Sequence, residues 1–433
     1  MGNQAVTLNK QQSIAYRVAV EFKKDMLVTG SAGTGKSVLL REIQKGITES
    51  GRNCIVVAPT GLAAINVGGA TIHRQFHVPI DSLYSTPRGS DKVIKATDCV
   101  IIDEIGNCRS DVYEYMMCVI NNASEYRVKN NMAPIQVIMF GDFLQLPPVV
   151  TEKESAELRS RYGSDFSSGA YAFSTRAWKD RDWIYAELTQ VMRQEDEQFV
   201  NNLWALRYGN LDSLSYFIEH SAQSEIKNAV TLYGVNKKAK EKNEEELEKL
   251  DGDQVVYYSH TWGTVSSGDK KNDDEVALKI GARVMAIVND SEERYYNGSF
   301  GTVTTLREDS VEVAFDNGKI ADIPYFSWAV TKYVEKNGRV KVEKIGEFTQ
   351  IPLKLAYAIT IHKSQGQTYD AVNIDPYCWE AGQLYTALSR VRDCRNMYFI
   401  NHVDSRYLKA SPEAVKFYND TYERLRQHPQ VVR

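Results

Sequence analysis

The stretch "MLVTGSAGTGKSVLLREI", residues 26–43, passes from an apolar segment through a glycine-rich turn into a helical pattern. Its centre, "GSAGTGKS" at 30–37, matches G-x-x-x-x-G-K-[ST]. Leu39, Ile43 and Ile47 then recur at four-residue spacing, on one face of a helix. Strand, glycine-rich loop and helix in that order are the context a phosphate-binding loop requires. Gly30, Gly33 and Gly35 let backbone N–H groups, Thr34 included, curl around phosphate oxygens. Lys36 can reach the β- and γ-phosphates, and the Ser37 hydroxyl can ligate Mg²⁺. A chance glycine-rich helix start would lack the strand. The stretch therefore predicts a nucleoside triphosphate site on a parallel α/β sheet.

Outward from this loop, short apolar strands alternate with amphipathic helices in two parts of the chain. The first part includes strands at 26–29, 54–58, 99–102 and 137–140, and the second at 231–233, 355–359, 372–374 and 397–400. Between them, from about 253 to 346, short strands are separated by turns, with Asn-Gly steps at 297–298 and 317–318 that predict hairpins. This reads as a small β-rich domain inserted into the second α/β unit. The charged run "NKKAKEKNEEELEKL" (236–250) predicts a solvated helix.

A triphosphate site also needs a second metal position and a group to organise water. "CVIIDE" (99–104) supplies both at a strand end: Asp103 for Mg²⁺ and Glu104 to polarise the water. After the next strand, "FGDFLQLPP" (140–148) places Asp142 and Gln145 on the ligand edge of the sheet, where Gln145 could sense a γ-phosphate. In isolation the same residues read as a proline-terminated loop. Upstream, "LNKQQ" (8–12) carries Gln12, whose amide could read adenine. In the second half, Arg193, Arg390 and Arg392 each read alone as surface or ion-pair residues. Taken together, in a unit without its own phosphate loop, they suggest arginine fingers at the γ-phosphate.

Composition narrows the class. A chain of 433 residues with 43% apolar and 25% charged residues has the makeup of a soluble globular protein of several domains. It has no apolar run near the ~20 residues of a membrane span. The start lacks a signal-peptide pattern, and Val6 breaks the myristoylation motif that Gly2 would open. The expected location is the cytoplasm, at the nucleoid of a bacterial or phage-like source. Six scattered cysteines without a C-x-x-C pair argue against zinc and against a disulfide framework. The net charge of −4 gives nucleic-acid binding no support, so any basic groove must be local.

The motifs together resemble the superfamily 1B helicases of the petite-integration-frequency type, ATP-driven 5′→3′ motors on single-stranded DNA. The matching stretches are "LNKQQ", "GSAGTGKS", "APTGLAA" (58–64), "TIHRQF" (71–76), "IIDEI" (101–105), "GDFLQLPP" (141–148), "AFSTRAW" (172–178) and "LTQVMRQEDEQF" (188–199). They continue in family order with "GARVM" (281–285), "NGSFGTV" (297–303), "AITIHKSQGQT" (358–368) and "GQLYTALSRVRD" (382–393). The match runs from residue 8 to 393, like a minimal, core-sized member. Two departures stand out. Gly106 follows "DEI" where a serine is common, and the helix within 110–131 is too divergent for DNA contacts to be carried over.

The resemblance implies an α/β fold of two RecA-like P-loop domains with parallel sheets, ATP between them and single-stranded DNA across their tops. The first domain would span 1–185, with a strand-separating wedge insertion within about 64–95. The second would take 186–252 and 347–433, with a small β-barrel at 253–346. Carried over by motif, Gln12 would read adenine, and Arg193 with Arg390 would reach the γ-phosphate. Thr60, His73, Phe143, Thr360, His362 and Lys363 would face DNA, while Gln365 and Gly366 would sit toward the nucleotide. ATP and Mg²⁺ are the implied cofactors, forked or structured DNA the implied substrate, and a monomer the motor unit. Base stacking could come from Phe76, Phe143, Trp178 or Tyr357, although aromatics beside apolar strands are more often core. Two other readings remain open: a translocase that displaces proteins with little unwinding, and a P-loop switch gating a protein partner.

Overall fold

The computed structural model describes residues 7–79, 82–87, 91–164, 167–194 and 196–427. Residues 80–81 and 88–90 of the expected wedge, and Glu195 of the "LTQVMRQEDEQF" stretch, lie outside this set. The chain divides into two compact units. One takes residues up to 193, 331–343 and 410 onward; the other takes 194–330 and 344–409. Among the described residues no helix is long and apolar enough to cross a membrane.

In the first unit, strands β1 (Met26–Gly30), β2 (Cys54–Ala58), β3 (Ala70–Thr71), β4 (Cys99–Ile102), β5 (Gln136–Phe140) and β6 (Ile184–Leu188) form one parallel sheet, ordered β3-β2-β4-β5-β1-β6. The central strands are buried on both faces, which is why they read as unbroken apolar runs. The helix Lys36–Glu49 packs Leu39, Ile43 and Ile47 into a core with Val28, Val56, Ile101 and Ile138. Burying each such side chain stabilises by ~1.5–3 kcal/mol, so Ile43→Ala would cost ~2–5 kcal/mol. The helix Lys10–Val20 starts at a capping box, in which Asn9 Oδ1 accepts from Gln12 N–H and Gln12 Oε1 accepts from Asn9 N–H.

Two distant segments complete this unit. β3 pairs only with Val57 and Ala58, and the Val56 N–H is taken instead by the Tyr333 hydroxyl at 3.1 Å. Asn53 bonds Gly338 O and Val340 N–H on the same 331–343 segment, so part of the β2 edge is covered. The C-terminal helix Pro412–Gln427 also belongs here, not to the second α/β domain as the expected 347–433 boundary had it. Its Ala414, Phe417, Tyr418 and Thr421 recur at helical spacing, and Phe417 stacks on Phe173 with centroids 4.5 Å apart.

The second unit opens with the helices Glu197–Leu206 and Leu211–His220 and strand β7 (Val230–Tyr233). The helix Asn236–Glu248 is solvated as expected. It is laced by i,i+4 ion pairs such as Lys237–Glu241 and Lys240–Glu244, each worth at most ~0.5 kcal/mol. The insertion follows as β8 (Val255–Tyr258), β9 (His260–Gly263), β10 (Glu275–Leu278), β11 (Arg283–Ala286), β12 (Phe300–Leu306), β13 (Ser310–Phe315), β14 (Ile320–Pro324), β15 (Phe326–Lys336), β16 (Arg339–Gln350) and β17 (Leu353–Leu355). These strands pair as sheets of five, three and two strands, and Tyr257, Leu278, Val284, Val313, Trp328 and Phe348 share one apolar core.

Antiparallel pairing of β17 with β11 carries the inserted sheet past the expected end at 346. Asn317-Gly318 does turn the β13–β14 hairpin. Asn297-Gly298 instead makes a local turn within residues 287–299, and β11 and β12 pair across that longer loop. The chain then returns through β18 (Ala358–Thr360), β19 (Val372–Ile374) and β20 (Met397–Phe399), which join β7 in a parallel sheet ordered β18-β7-β19-β20. Leu232, Ile359, Ile374, Leu384 and Met397 form its core.

Candidate functional site

The glycine-rich loop leaves the carboxyl end of β1, and its shape follows from close approaches. A Cβ on Gly30 would strike Leu188 O, and one on Gly35 would stand 2.5 Å from Gln12 Nε2. Gly30, Gly33 and Gly35 all hold positive φ, which costs glycine nothing. Lys36 Nζ donates to Gly30 O at 2.8 Å and Ser31 O at 3.0 Å, while the Thr34 hydroxyl donates to Ser31 O. The helix Lys36–Glu49 begins at Gly35 with no side-chain cap. Its first N–H groups and its positive dipole end thus favour an anion, and Ser37 lies exposed in the first turn.

Two neighbouring segments lean on this loop. Gln12 is buried; its carbonyl is used in the capping box and its amide NH₂ sits 3.5 Å from Gly35 O. Met192 N–H donates to Gly33 O at 2.8 Å, which brings the half-buried Arg193 beside the phosphate loop. Gln11, which sequence reasoning passed over, fastens that segment: its Oε1 accepts from Thr189 N–H at 3.0 Å and its Nε2 donates to Thr189 Oγ1 at 2.9 Å.

At the end of β4, Asp103 is buried. Desolvation first, then the neighbouring Glu104 charge, push its carboxyl up to about 7, against a smaller opposing pull from Lys36. Glu104 has φ 51°, a left-handed backbone that costs ~1–2 kcal/mol in a non-glycine residue and is enriched at functional sites. The loops after β4 and β5 touch backbone to backbone. A Cβ on Gly106 would lie 2.7 Å from Asp142 O, and one on Gly141 would lie 2.9 Å from Ile105 N. Any side chain at position 106 would require one of these two backbones to shift. This packing joins the 141–143 backbone to that of 105–106, just after Glu104, and Gln145 Nε2 lies 3.4 Å from Asp142 Oδ2.

The donor set suits Mg²⁺. Among the described residues no group of three or more His, Cys, Asp or Glu side chains forms a closed metal cage. Mg²⁺ keeps most of its waters and takes one or two protein oxygens plus phosphate oxygens, as a Ser37 hydroxyl and an Asp103 carboxylate would provide. A cation there would offset the cost of ionising a buried carboxyl next to Glu104.

The candidate DNA-facing residues separate into two groups. Thr60 is exposed and caps the helix Gly61–Asn66 through a bond from Ala63 N–H. His73 is half-buried, and burial lowers its pKa despite Asp111 nearby, favouring the neutral ring. Lys363 is exposed, and His362 Nε2 lies 3.1 Å from Glu380 Oε2. Phe143, by contrast, is only 1% exposed, among Phe173, Trp178 and Phe417 at 4.9, 5.8 and 5.2 Å. It is core in this conformation and offers no face to a base. Phe76 and Trp178 are buried too.

Two further candidates in the second unit make local bonds in this structure. Thr360 is buried, and its hydroxyl accepts from Lys363 N–H, so it caps the turn in this conformation. That turn, "TIHKSQGQ", closes through short i,i+3 bonds and Gly366 at φ 78°. No helix follows before β19. Arg390 is 1% exposed, donating to Ser364 O (3.0 Å), Gln367 O (3.1 Å) and Thr386 O (2.8 Å). Here the guanidinium clamps the 360–367 turn to the helix Gln383–Leu388, and is not extended as a finger. Gln365 and Gly366 sit on that turn, half-buried and exposed; Arg392 is exposed.

A family model described as PIF1-like helicase matches residues 7–215, and one described as UvrD-like helicase C-terminal domain matches 355–393. The chain is 31% identical over 407 residues to the ATP-dependent DNA helicase Pif1 of Campylobacter jejuni, covering 84% of this chain and 86% of that protein. It superposes on Bacteroides sp Pif1 in complex with ADP-AlF4 with a TM-score of 0.81 and 30% identity, over 97% of this chain and 98% of that one. Against Bacteroides Pif1 in complex with ADP-AlF3 and ssDNA the TM-score is 0.68 at 30% identity, covering 96% and 98%.

Proposed function

The chain belongs to the PIF1-like helicase family and is an ATP-driven DNA helicase; we propose that it advances 5′→3′ along single-stranded DNA and opens forked duplexes. The observation that carries the site assignment is the convergence, on one edge of the first sheet, of the phosphate loop, Asp103–Glu104 and the Asp142–Gln145 loop. In this reading the N–H groups of Gly33–Ser37 and the Lys36 ammonium hold the phosphates. Gln12 meets the adenine edge, and Ser37 with Asp103 hold Mg²⁺. A Mg²⁺ ion held there would supply positive charge against the phosphates. Glu104 orients and polarises the attacking water, and Gln145 reports the γ-phosphate to its loop.

Arg193, tied to the loop through Met192, adds positive charge where negative charge develops in the transition state. Arg390 serves the same charge only after leaving its carbonyl partners; otherwise it sets the 360–367 turn. Thr60, His73, His362 and Lys363 contact the strand through its backbone, which makes the grip tolerant of sequence. Movement follows if ATP binding and release alternate the strength of that grip.

The test is a forked duplex with a single 5′ or 3′ tail, alongside ATPase measured with and without single-stranded DNA. Unwinding of the 5′-tailed fork alone supports the proposal, and unwinding of the 3′-tailed fork alone refutes the polarity. DNA-stimulated ATPase without strand separation would identify a protein-displacing translocase. ATPase indifferent to DNA would identify a switch.

A further inference from the structure

The hydroxyl of Tyr418, on the C-terminal helix Pro412–Gln427, lies where the nucleotide loops diverge. It is 2.6 Å from Thr29 Oγ1, accepts from Phe143 N–H at 3.3 Å, and donates to Asp142 Oδ1 at 3.3 Å. One arrangement of protons satisfies all three bonds at once, with the Thr29 hydroxyl donating to the phenol oxygen. Thr29 immediately precedes Gly30, where the phosphate loop begins, and the Asp142 carboxylate in turn receives Gln145 Nε2 and Leu144 N–H. Tyr418 itself is buried. A residue nearly four hundred positions from the loop is thus part of its support.

We infer that Tyr418 is a positioning residue for ATP hydrolysis: it holds Asp142, and through it the Gln145 amide, in fixed register with the strand that leads into the phosphate loop. The inference rests on the reading of Gln145 as the γ-phosphate sensor. A purely adhesive role for the hydroxyl is unnecessary, because the helix is docked by other groups. Glu413 accepts from the Ser167 hydroxyl and Ser168 N–H, Phe417 stacks on Phe173, and the Tyr422 hydroxyl bonds Glu187 Oε1. Loss of one phenolic oxygen leaves these in place and removes one of the bonds that fix the Asp142 carboxylate.

The experiment is a double-mutant cycle on the full chain, with steady-state ATPase at saturating single-stranded DNA and thermal unfolding of each variant. Tyr418→Phe should lower kcat about tenfold with the KM for ATP within about twofold, the pattern of a misplaced group acting after binding. Gln145→Ala should lower kcat at least as much, and the double variant should be no slower than Gln145→Ala, because the two act as one unit. Glu413→Gln, which weakens the same helix at its other end, should lower Tm at least as far as Tyr418→Phe while keeping kcat within about twofold. Wild-type kcat in Tyr418→Phe overturns the positioning role alone, and so does a multiplicative loss in the double variant. Wild-type kcat in Gln145→Ala overturns the sensor reading and the inference with it. Equal loss of turnover in Glu413→Gln reduces Tyr418 to a stability residue and also overturns it.

Discussion

Asp103→Asn should trade catalysis for stability, and the size of the gain follows from where the carboxyl sits. Burial and the Glu104 charge raise the folded-state pKa from 3.8 to about 7. A carboxyl whose folded pKa is raised binds its proton more tightly when folded, so the folded chain loses stability as pH rises through this range. Below about pH 4 the group is protonated in both states and costs nothing; above about pH 7 the full penalty applies. Moving the pKa from 3.8 to about 7 corresponds to roughly 4 kcal/mol, an upper figure because loops relax around charge. In EDTA and without nucleotide, Asp103→Asn should therefore unfold at higher temperature than wild type at pH 8. With ~2–4 °C per kcal/mol for a unit of this size, the difference should be several degrees, shrinking toward nothing near pH 4. Mg²⁺ with ADP should raise the wild-type Tm and barely move the variant, while ATP turnover in the variant is lost. The assay is thermal unfolding by circular dichroism across pH 4–8 with paired ATPase rates. Parallel Tm–pH curves for the two proteins would refute the claim that this carboxyl is the strained group.

The other predictions are narrower. Lys36→Ala should abolish ATP turnover while single-strand binding, measured by fluorescence anisotropy, largely persists; retained ATPase would overturn the phosphate-loop assignment. Gly106→Ala should cost ~1–3 kcal/mol, seen as a lower Tm, because the new Cβ meets Asp142 O at 2.7 Å and one of the two backbones must shift. Lys363→Ala should weaken binding of all single-strand sequences alike and reduce the magnitude of the salt slope by about 0.7, one phosphate contact fewer. An unchanged slope would remove Lys363 from the strand contacts.

What could be read from the chain alone was whatever a short contiguous segment builds for itself. The phosphate loop, the carboxylates ending β4 and the parallel strands around them depend on glycine sterics, apolar periodicity and a helix start, all set within about ten residues. The solvated helix Asn236–Glu248 and the Asn317-Gly318 hairpin were legible for the same reason. Asn297-Gly298 misled because a tight turn does not specify which strands flank it.

Roles that depend on packing were decided only in the folded chain. Phe143 and Thr360 stand in stretches that suggest contact with DNA, yet Phe417 and Phe173 enclose the first and the Lys363 amide occupies the second. Arg390 is spent on carbonyls of its own unit. Gly106 lies tight against a backbone more than thirty residues away, and Tyr418 reaches Thr29 and Asp142 from the far end of the chain. The sequence by itself determined that this protein holds a triphosphate on a parallel sheet, since local covalent geometry is enough to shape that loop. Tertiary structure decided which side chains remain free to meet a ligand. Burial and hydrogen-bond saturation are properties of whatever neighbours the fold supplies, and those neighbours range from Lys363, beside Thr360 in the chain, to Tyr418, hundreds of positions from Thr29.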